Sequence, residues 1–524
     1  MTDSSTVDVD VADLTLEQKV GQLFQVGFHG TEAGETIREL VADYHVGGVI
    51  YFSRNVESAE QTADLSAALQ AEARESTGLP LLLSTDQEGG VVTRVPFGTV
   101  PPGQMALGAA GDAGLAREFG SAVGRQLRAV GINMNFAPVL DVNNNPDNPV
   151  IGVRSFGSDP GLVGDLGEAV AGGLQEVGVA ACGKHFPGHG DTAVDSHEAM
   201  PTVAHGRERL DEVELAPFRA AIDAGIDAIM TAHVNFPAIE PDDDTPATLS
   251  RNVLTGLLRE ELGYDGVVIT DCMEMNAIAD GVGTVEGAVR TIQAGADMVL
   301  VSHTAERQRA AIEAVQEAVR SGDLPESRVD EAARRVLRLK DERIGAVEAP
   351  SAAAASEGLV ETAERIGRAA VTLVRDDDGL VPLPDGDVFV WDFPADRGSP
   401  AEDAAVDGGP LVDALEARGR SVRRHTFDAG EPDDLPTVED DEVVVACTYD
   451  AARNDDQAAV VNRALDDGLP VVVLAMRNPY DLRALPGAAS FLTTYDYSPA
   501  MLDAAADVLT GAHEPEGRLP VSME

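Results

Sequence analysis

The sequence has few basic residues, few aromatic residues and few cysteines. Lys and Arg total 38 against 90 Asp and Glu, so the 524-residue chain has a formal net charge of −52. Such a surface repels nucleic-acid phosphates and anionic lipid, which excludes both as expected partners. The acidic residues are spread along the whole chain, and we interpret them as an adaptation to a very salty cytoplasm, where salt screens charge repulsion. An isolated Asp or Glu therefore indicates a site only when its neighbours place it there.

The sequence also has few cysteines and no long apolar run, and both features limit the class of protein. Cys182, Cys272 and Cys447 form neither a disulfide framework nor a zinc-ligand spacing, and they predict buried, reduced thiols. No apolar run reaches the roughly 20 residues that a membrane helix needs. Residues 1–13 also lack the basic-then-apolar order of a secretory signal, so a cytoplasmic location is expected. A length of 524 residues suits one large and one medium domain, and a hydrophobic fraction of 44 % is enough to build their cores.

Short apolar runs alternate with helical patterns up to about residue 344. The predicted strands are 20–28, 46–52, 81–85, 132–140, 179–183, 228–232, 267–270 and 298–302. The helical patterns between them include 58–76, 114–130, 162–177, 212–224, 252–262 and 285–294. Eight strand–helix units predict a TIM-type (β/α)8 barrel, although a doubly wound sheet would also alternate.

A second, smaller segment of alternating strands and helices follows. Its predicted strands are 370–374, 388–392, 421–427, 442–446, 470–475 and 490–494, with helices at 359–370, 411–418 and 457–466. This pattern predicts a three-layer α/β sandwich. The small-residue, proline-containing run EAPSAAAAS indicates a linker before it. The predicted organisation is a catalytic barrel over 1–347, a linker over 348–358 and a C-terminal sandwich domain over 359–524.

Polar residues cluster where the barrel strands are predicted to end. Asp86 follows the third strand, Lys184 and His185 follow the fifth, and Asp271 follows the seventh. In a barrel these ends meet on one face, where active sites lie. The run KHFPGHGDT over 184–192, with Asp-Ser-His at 195–197, holds three of the ten histidines. Because loops on this face carry catalytic groups, we interpret it as functional rather than as a turn with surface histidines.

This loop resembles the signature loop of family-three glycoside hydrolases, specifically the NagZ-like β-N-acetylglucosaminidases. Further motifs match in the same order over about residues 14–344: DQEGG from Asp86, NFAPVLDV from Asn135, RSFG from Arg154, and Thr270-Asp271 with Met273 and Met275. The C-terminal segment resembles the second domain of longer members more loosely. One departure is Val91, where relatives often carry Arg, with Arg94 three residues on.

The resemblance implies a retaining exo-glycosidase that removes terminal β-linked N-acetylglucosamine. Asp271 would be the nucleophile that forms a covalent glycosyl-enzyme, and His197, paired with Asp195, would be the acid/base. This agrees with the need of a retaining enzyme for a nucleophile and a proton donor. Imidazole titrates near neutrality, so it can donate a proton and then accept one.

The resemblance also implies the sugar-binding residues, which are Asp86, Arg154, Lys184 and His185. Lys184 is one of only three lysines in the chain, so a solvent-facing role is less expected for it. The expected substrate is a small oligosaccharide or amino-sugar glycoside, from chitin, glycoproteins or muropeptides, and no cofactor or metal is expected.

Other functions stay open at this stage. A β-glucosidase or a phosphorylase of the same family would share these motifs, since a neutral histidine base could admit phosphate. A metal-dependent barrel hydrolase would use ligands such as His185, His189, His197, His233 and Asp271. A non-catalytic carbohydrate-binding protein would have no use for both Asp271 and an Asp195–His197 pair.

Overall fold

The computed structural model describes residues 9–193, 200–242, 245–344, 349–393, 402, 408–427 and 435–523. Its first sheet has eight parallel strands: β1 Phe24–Val26, β2 Gly48–Tyr51, β3 Leu82–Thr85, β4 Met134–Asn135, β5 Ala180–Phe186, β6 Ala228–Thr231, β7 Val267–Thr270 and β8 Val299–Val301. The strands pair in chain order, β8 pairs with β1, and a parallel bridge between Ile269 and Met298 links β7 to β8. The sheet is therefore a nearly closed barrel, and the predicted (β/α)8 fold is confirmed.

Helices surround this barrel. The longer ones are Glu35–Ala42, Ala59–Thr77, Ala113–Ala129, Pro160–Glu176, Ala216–Asp223, the π-helix Asn252–Glu261, Thr284–Ala294, Ala305–Ser321 and Glu326–Arg343. Shorter ones are Leu16–Gln22, Gln104–Ala110, Arg207–Glu212 and Asn276–Ala279. Side chains alternate along each strand, so Leu83 and Val268 pack outward in the large core, while Leu82 and Ile269 fill the barrel interior.

Several predicted elements are wrong in their bounds. The strand predicted at 179–183 continues as β5 to Phe186, so Lys184 and His185 lie within it rather than after it. The first three residues of the strand predicted at 20–28 belong to helix Leu16–Gln22, which Thr15 and Gln18 start with a capping box whose hydrogen bonds are 3.2 and 3.0 Å long. The strand predicted at 132–140 is only the two residues of β4. The helix predicted at 212–224 is two helices, the second with Pro217 in its first turn.

The second sheet has six strands: β9 Thr372–Asp376, β10 Asp387–Asp392, β11 Val422–Thr426, β12 Glu442–Thr448, β13 Val471–Ala475 and β14 Ser490–Thr493. Their order is β9-β14-β13-β12-β10-β11, and only the β9–β14 pairing is antiparallel. Its helices are Ala352–Ala370, Gly409–Ala417, Asp455–Asp466, Asp481–Ala484 and Pro499–Thr510. Val444 shares a core with Val460, and Val445 shares the opposite core with Leu411, so helices cover both faces. The predicted sandwich domain is confirmed.

Most of the segment predicted as a linker, 348–358, is helical. Ser351 caps helix Ala352–Ala370 by accepting a hydrogen bond from the Ala354 N–H at 3.3 Å, and four alanines follow, the residue with the highest helix propensity. The helix packs against barrel helices Gln104–Ala110 and Ala113–Ala129. The division of the chain at 347 and 359 stays a prediction. Within the described ranges, no helix combines the length and the apolar character that crossing a bilayer requires.

The two domains meet near the carboxyl ends of their strands. Asp496, after β14, accepts a hydrogen bond from the Gly103 N–H at 2.7 Å. Tyr480, after β13, accepts one from Asn143 Nδ2 at 3.0 Å, and Asn143 follows β4 of the barrel. The loops that follow the parallel strands of the second sheet therefore lie against the face of the barrel that carries active sites.

Candidate active site

A cavity of about 430 Å³ opens at the carboxyl ends of the barrel strands. Five of the predicted site residues line it: Asp86, Arg154, Lys184, His185 and Asp271. The structure therefore brings these side chains together from β3, β5, β7 and the loop after β4. The predicted acid/base pair, Asp195 and His197, lies outside the described residues.

A buried ionic network forms one wall of the cavity. Lys184 Nζ lies 2.6 Å from Asp86 Oδ1 and 2.6 Å from Glu88 Oε1. Arg154 donates to Glu88 through Nε at 2.9 Å and through Nη2 at 2.8 Å. Bidentate, charge-assisted hydrogen bonds of this kind fix both partners in one geometry. The network therefore presents two cations whose positions are set before a ligand arrives.

Glu88 is the centre of this network, and sequence reasoning gave it no role. Burial by itself would raise its pKa, but Arg154 and Lys184 outweigh burial and hold the pKa of Glu88 well below the ordinary 4.5. Burial likewise opposes the charge of Lys184, and Asp86 with Glu88 raises the Lys184 pKa above 10.5. The carboxylate and the ammonium therefore stay charged together although both are buried. The sequence indicates this role of Glu88 only through its position as the third residue of the Asp-Gln-Glu motif.

Asp141 orients the histidine next to Lys184. Its Oδ2 lies 2.7 Å from His185 Nδ1, and its Oδ1 accepts from the His189 backbone N–H at 2.7 Å. Burial alone would raise the Asp141 pKa, but His185 outweighs it and the pKa is lowered. Because Nδ1 of His185 is committed to Asp141, the ring can contact a ligand only through Nε2.

Asp271 directly follows the fully buried strand β7 and is the first polar residue at the rim of the barrel. Its side chain is partly exposed in the cavity, and Oδ1 accepts from the Cys272 N–H at 2.7 Å. Burial raises the pKa of Cys272 to about 11, so that neighbouring thiol is neutral at ordinary pH. The end of β7 therefore places a carboxylate in the cavity.

Two of the histidines considered as metal ligands, His189 and His233, have other partners. His233 Nδ1 lies 2.8 Å from Thr248 Oγ1, and its Nε2 lies 2.9 Å from the Cys272 carbonyl oxygen. His189 Nδ1 lies 2.9 Å from Thr192 Oγ1, and burial lowers the His189 pKa to about 4. These hydrogen bonds disfavour a metal-ligand role for His233 in particular. Within the described ranges, the group of three His, Cys, Asp or Glu side chains whose ligand atoms all lie within 4.8 Å of one another is Asp191, His205 and Glu214, and none of these lines the cavity.

Residues 15–339 match the family model described as the glycosyl hydrolase family 3 N terminal domain. This chain belongs to glycoside hydrolase family 3. A solved family 3 β-N-acetylglucosaminidase from Paenibacillus sp. str. FPU-7 is 47 % identical, with a TM-score of 0.91, over 97 % of this chain and 99 % of that one. A relative named Beta-hexosaminidase A, from Pseudoalteromonas piscicida, is 32 % identical over 93 % of this chain and 91 % of its own. A protein named Beta-N-acetylglucosaminidase/beta-glucosidase, from Cellulomonas fimi, is 30 % identical over 98 % and 95 %.

The protein is therefore a glycoside hydrolase, and glycosides are its substrates. The cavity of this family 3 enzyme includes residues that had no predicted role. Arg94, noted only because it follows the departure at Val91, lines the cavity. Arg54 also lines it, with its guanidinium 4.3 Å from the centre of the Phe52 ring. One lining residue, Glu402, comes from the C-terminal domain.

Proposed function

We propose that this family 3 enzyme is a retaining exo-glycosidase that removes terminal β-linked N-acetylglucosamine, with Asp271 as its nucleophile. The supporting observation is that Asp271 ends β7 inside the cavity that also holds the network of Asp86, Glu88, Arg154 and Lys184. A β-N-acetylglucosaminidase that matches nearly the whole chain at 47 % identity supports the choice of substrate.

The reaction would proceed in two steps at the anomeric carbon. First, a carboxylate oxygen of Asp271 attacks C1, the bond from C1 to the glycosidic oxygen breaks, and the imidazolium of His197 donates a proton to that oxygen. Second, the imidazole of His197 takes a proton from water, and the water oxygen attacks C1 and releases Asp271. Two inversions at C1 leave the sugar with the β configuration that it had in the substrate.

The acid/base role of His197 rests on the resemblance, since this residue and Asp195 lie outside the described residues. A carboxylate paired with the ring would fix its tautomer and stabilise the imidazolium. Using a neutral base rather than a second carboxylate also limits the negative charge around Asp271.

The sugar would be held by the ionic wall of the cavity. Arg154 and Lys184 are charged donors for hydroxyl and acetamido oxygens, and Asp86 is a charged acceptor for hydroxyl groups. His185 would contribute Nε2, because Asp141 holds its other nitrogen. Their mutual contacts fix these groups before the substrate binds, which reduces the entropy lost on binding.

The deciding experiment replaces Asp271 by Asn and compares the variant with Asp280→Asn, a change at an exposed residue nearby. With an aryl β-N-acetylglucosaminide, Asp271→Asn should lower kcat by at least about 1,000-fold, while Asp280→Asn should behave as the wild type. Mass spectrometry of wild-type enzyme quenched during turnover of a slow fluorinated substrate should find the sugar on the peptide containing Asp271. Unchanged turnover in Asp271→Asn would exclude this nucleophile.

The proton donor and the acceptor need separate assays. His197→Ala should slow substrates with poor leaving groups far more than activated aryl glycosides, because only the former need protonation. A panel of aryl glycosides in molar KCl, with and without phosphate, would separate hydrolysis from phosphorolysis by the appearance of a sugar 1-phosphate. Preferred cleavage of β-glucosides over N-acetylglucosaminides would instead indicate a β-glucosidase.

A further inference from the structure

The C-terminal domain contributes one carboxylate to the cavity of the barrel. Glu402 lines this cavity, whereas the other lining residues fall between Ile50 and His303. Its exposed fraction is 2 %, the same as that of Lys184. Burying a carboxylate is costly unless charged or hydrogen-bonding partners compensate, so its contacts indicate what holds it there.

Two buried side chains hold Glu402. Arg477 pairs with Oε1, and the Tyr449 hydroxyl donates to Oε2 at 2.9 Å. Arg477 is itself 2 % exposed and donates through Nη1 to Asp450 Oδ2 at 2.8 Å. The carboxylate of Glu402 therefore has a fixed orientation, in the way that Glu88 is fixed by Arg154 and Lys184.

These partners belong to the edge of the second sheet that faces the barrel. Tyr449 and Asp450 follow β12, and Arg477 follows β13, so all three lie at the carboxyl ends of parallel strands. Ligands of α/β sheets bind at this edge. Asn478, next in the chain, packs on Gly152, where a Cβ would lie 3.0 Å from Asn478 Oδ1. Gly152 is two residues before Arg154, so the contact joins this edge to the segment carrying a proposed sugar ligand.

Glu402 also changes the charge of the cavity. Histidines aside, the charged lining residues that the structure describes are the carboxylates Asp86, Glu88, Asp271 and Glu402 and the cations Arg54, Arg94, Arg154 and Lys184. Among these eight side chains the two signs are equal in number, although the whole chain has a net charge of −52. Without Glu402 the cations would be in excess and would attract an anion. A balanced cavity suits an uncharged sugar.

We propose that Glu402 is a substrate-binding residue that the C-terminal domain supplies, accepting a hydrogen bond from a sugar hydroxyl and disfavouring anions such as phosphate. The inference rests on the proposed function, since it requires a sugar in this cavity. A carboxylate that accepts from a hydroxyl makes the stronger, charge-assisted kind of hydrogen bond. The barrel would then supply the nucleophile, and the second domain would contribute to specificity.

The test uses the full-length enzyme and the variant Glu402→Gln, which keeps the shape of the side chain and removes its charge. Glu442→Gln is the matched control, because Glu442 is also buried in the second domain and paired with an arginine, Arg423 at 2.6 Å, but does not line the cavity. On an aryl β-N-acetylglucosaminide, kcat/KM should fall about 10-fold or more in Glu402→Gln and remain unchanged in Glu442→Gln. Inhibition by inorganic phosphate should become stronger only in Glu402→Gln.

Deoxy substrates separate recognition from a structural effect. For the 3-, 4- and 6-deoxy analogues, the wild type should lose most activity on one of them, and Glu402→Gln should show a smaller loss on that same analogue. Glu402→Asp keeps the charge but withdraws it by one methylene, so it should still exclude phosphate while recognising the hydroxyl poorly. Melting curves of every variant control for folding.

Three results would overturn the proposal. The first is equal kinetics in Glu402→Gln and Glu442→Gln, and the second is unchanged discrimination among the deoxy analogues in Glu402→Gln. The third is a loss of activity in Glu402→Gln that grows as the leaving group becomes poorer, which would make Glu402 a proton donor. The outcome is independent of Asp271: an inactive Asp271→Asn with a wild-type-like Glu402→Gln would refute this inference alone.

Discussion

Replacing Glu88 by Gln tests whether the buried ionic network organises the sugar site. Glu88 Oε1 lies 2.6 Å from Lys184 Nζ and 2.8 Å from Arg154 Nη2, and its exposed fraction is 1 %. Gln has almost the same shape, so the substitution removes one negative charge without opening a cavity. The amide N–H₂ of Gln is a donor, and it would face at least one of the two cations that now donate to Glu88. Arg154 and Lys184 would remain buried, with Asp86 as the nearest compensating charge.

The expected magnitude follows from the cost of an uncompensated buried charge. Removing one partner of a buried ion pair destabilises a protein by about 3–5 kcal/mol. The entropy of unfolding is about 2.1 cal/mol/K per residue, or about 1.1 kcal/mol/K for the whole chain if both domains unfold together. Glu88→Gln should therefore lower the melting temperature by roughly 3–5 °C.

The same change should weaken substrate binding. Arg154 and Lys184 would lose the carboxylate that fixes their positions, so we expect kcat/KM to fall at least about 10-fold, mainly through KM, because sugar hydroxyls are bound in both the ground and the transition state. Calorimetry and steady-state kinetics at pH 7 would measure both effects, with the exposed Glu208→Gln as the control. If Glu88→Gln melts and turns over like Glu208→Gln, the network has no organising role.

Two buried groups should make stability depend on pH in opposite directions. Burial, with a smaller contribution from Asp450, raises the Asp481 pKa from 3.8 to about 7, so the folded state binds the extra proton and the contribution of Asp481 to stability falls as pH rises from about 4 to 7. In denaturant unfolding over this range, the stability of Asp481→Asn should rise relative to that of the wild type as pH rises, and an identical pH dependence would show that Asp481 makes no such contribution. Burial lowers the Lys340 pKa from 10.5 to about 7, so the unfolded state binds the extra proton and stability should rise from pH 7 to about 10. Lys340→Met should remove this second slope, and a slope that persists would contradict the assignment.

The fold was predictable because it depends on local patterns. Short strands rich in apolar residues, such as β3 and β7, are fully buried in the structure, and their alternation with helices is enough to indicate a barrel. Sequence and structure differ where one local pattern suits two structures. The small residues around Ala352 are typical of a linker, but Ser351 and four alanines also form a strong helix start.

The site was predictable only as far as short motifs extend. Asp86 and Asp271 directly follow barrel strands and Lys184 lies near the carboxyl end of β5, so their convergence follows from the topology alone. That Glu88 is the shared partner of Lys184 and Arg154 does not follow from topology, because side-chain packing decides which carboxylate is enclosed between them. Glu88 lies two residues from Asp86 in the chain, yet only the three-dimensional structure distinguishes it from a second surface acid.

In a chain with 90 acidic residues, burial and pairing do not identify a functional carboxylate unless it also lines the cavity or contacts a residue that does. Glu88 and Asp141 have exposed fractions of 1 % and 0 %, and each contacts a basic side chain of the site. Glu402 meets the same criterion through Arg477, although 131 residues separate it from Asp271 and it belongs to another domain. Surface acids in such a protein cost little to exchange, whereas removing the cation from one of these buried pairs would destabilise the fold by several kcal/mol. Carboxylates that are buried, paired and placed at the cavity are therefore the ones through which we expect mutation to alter substrate specificity.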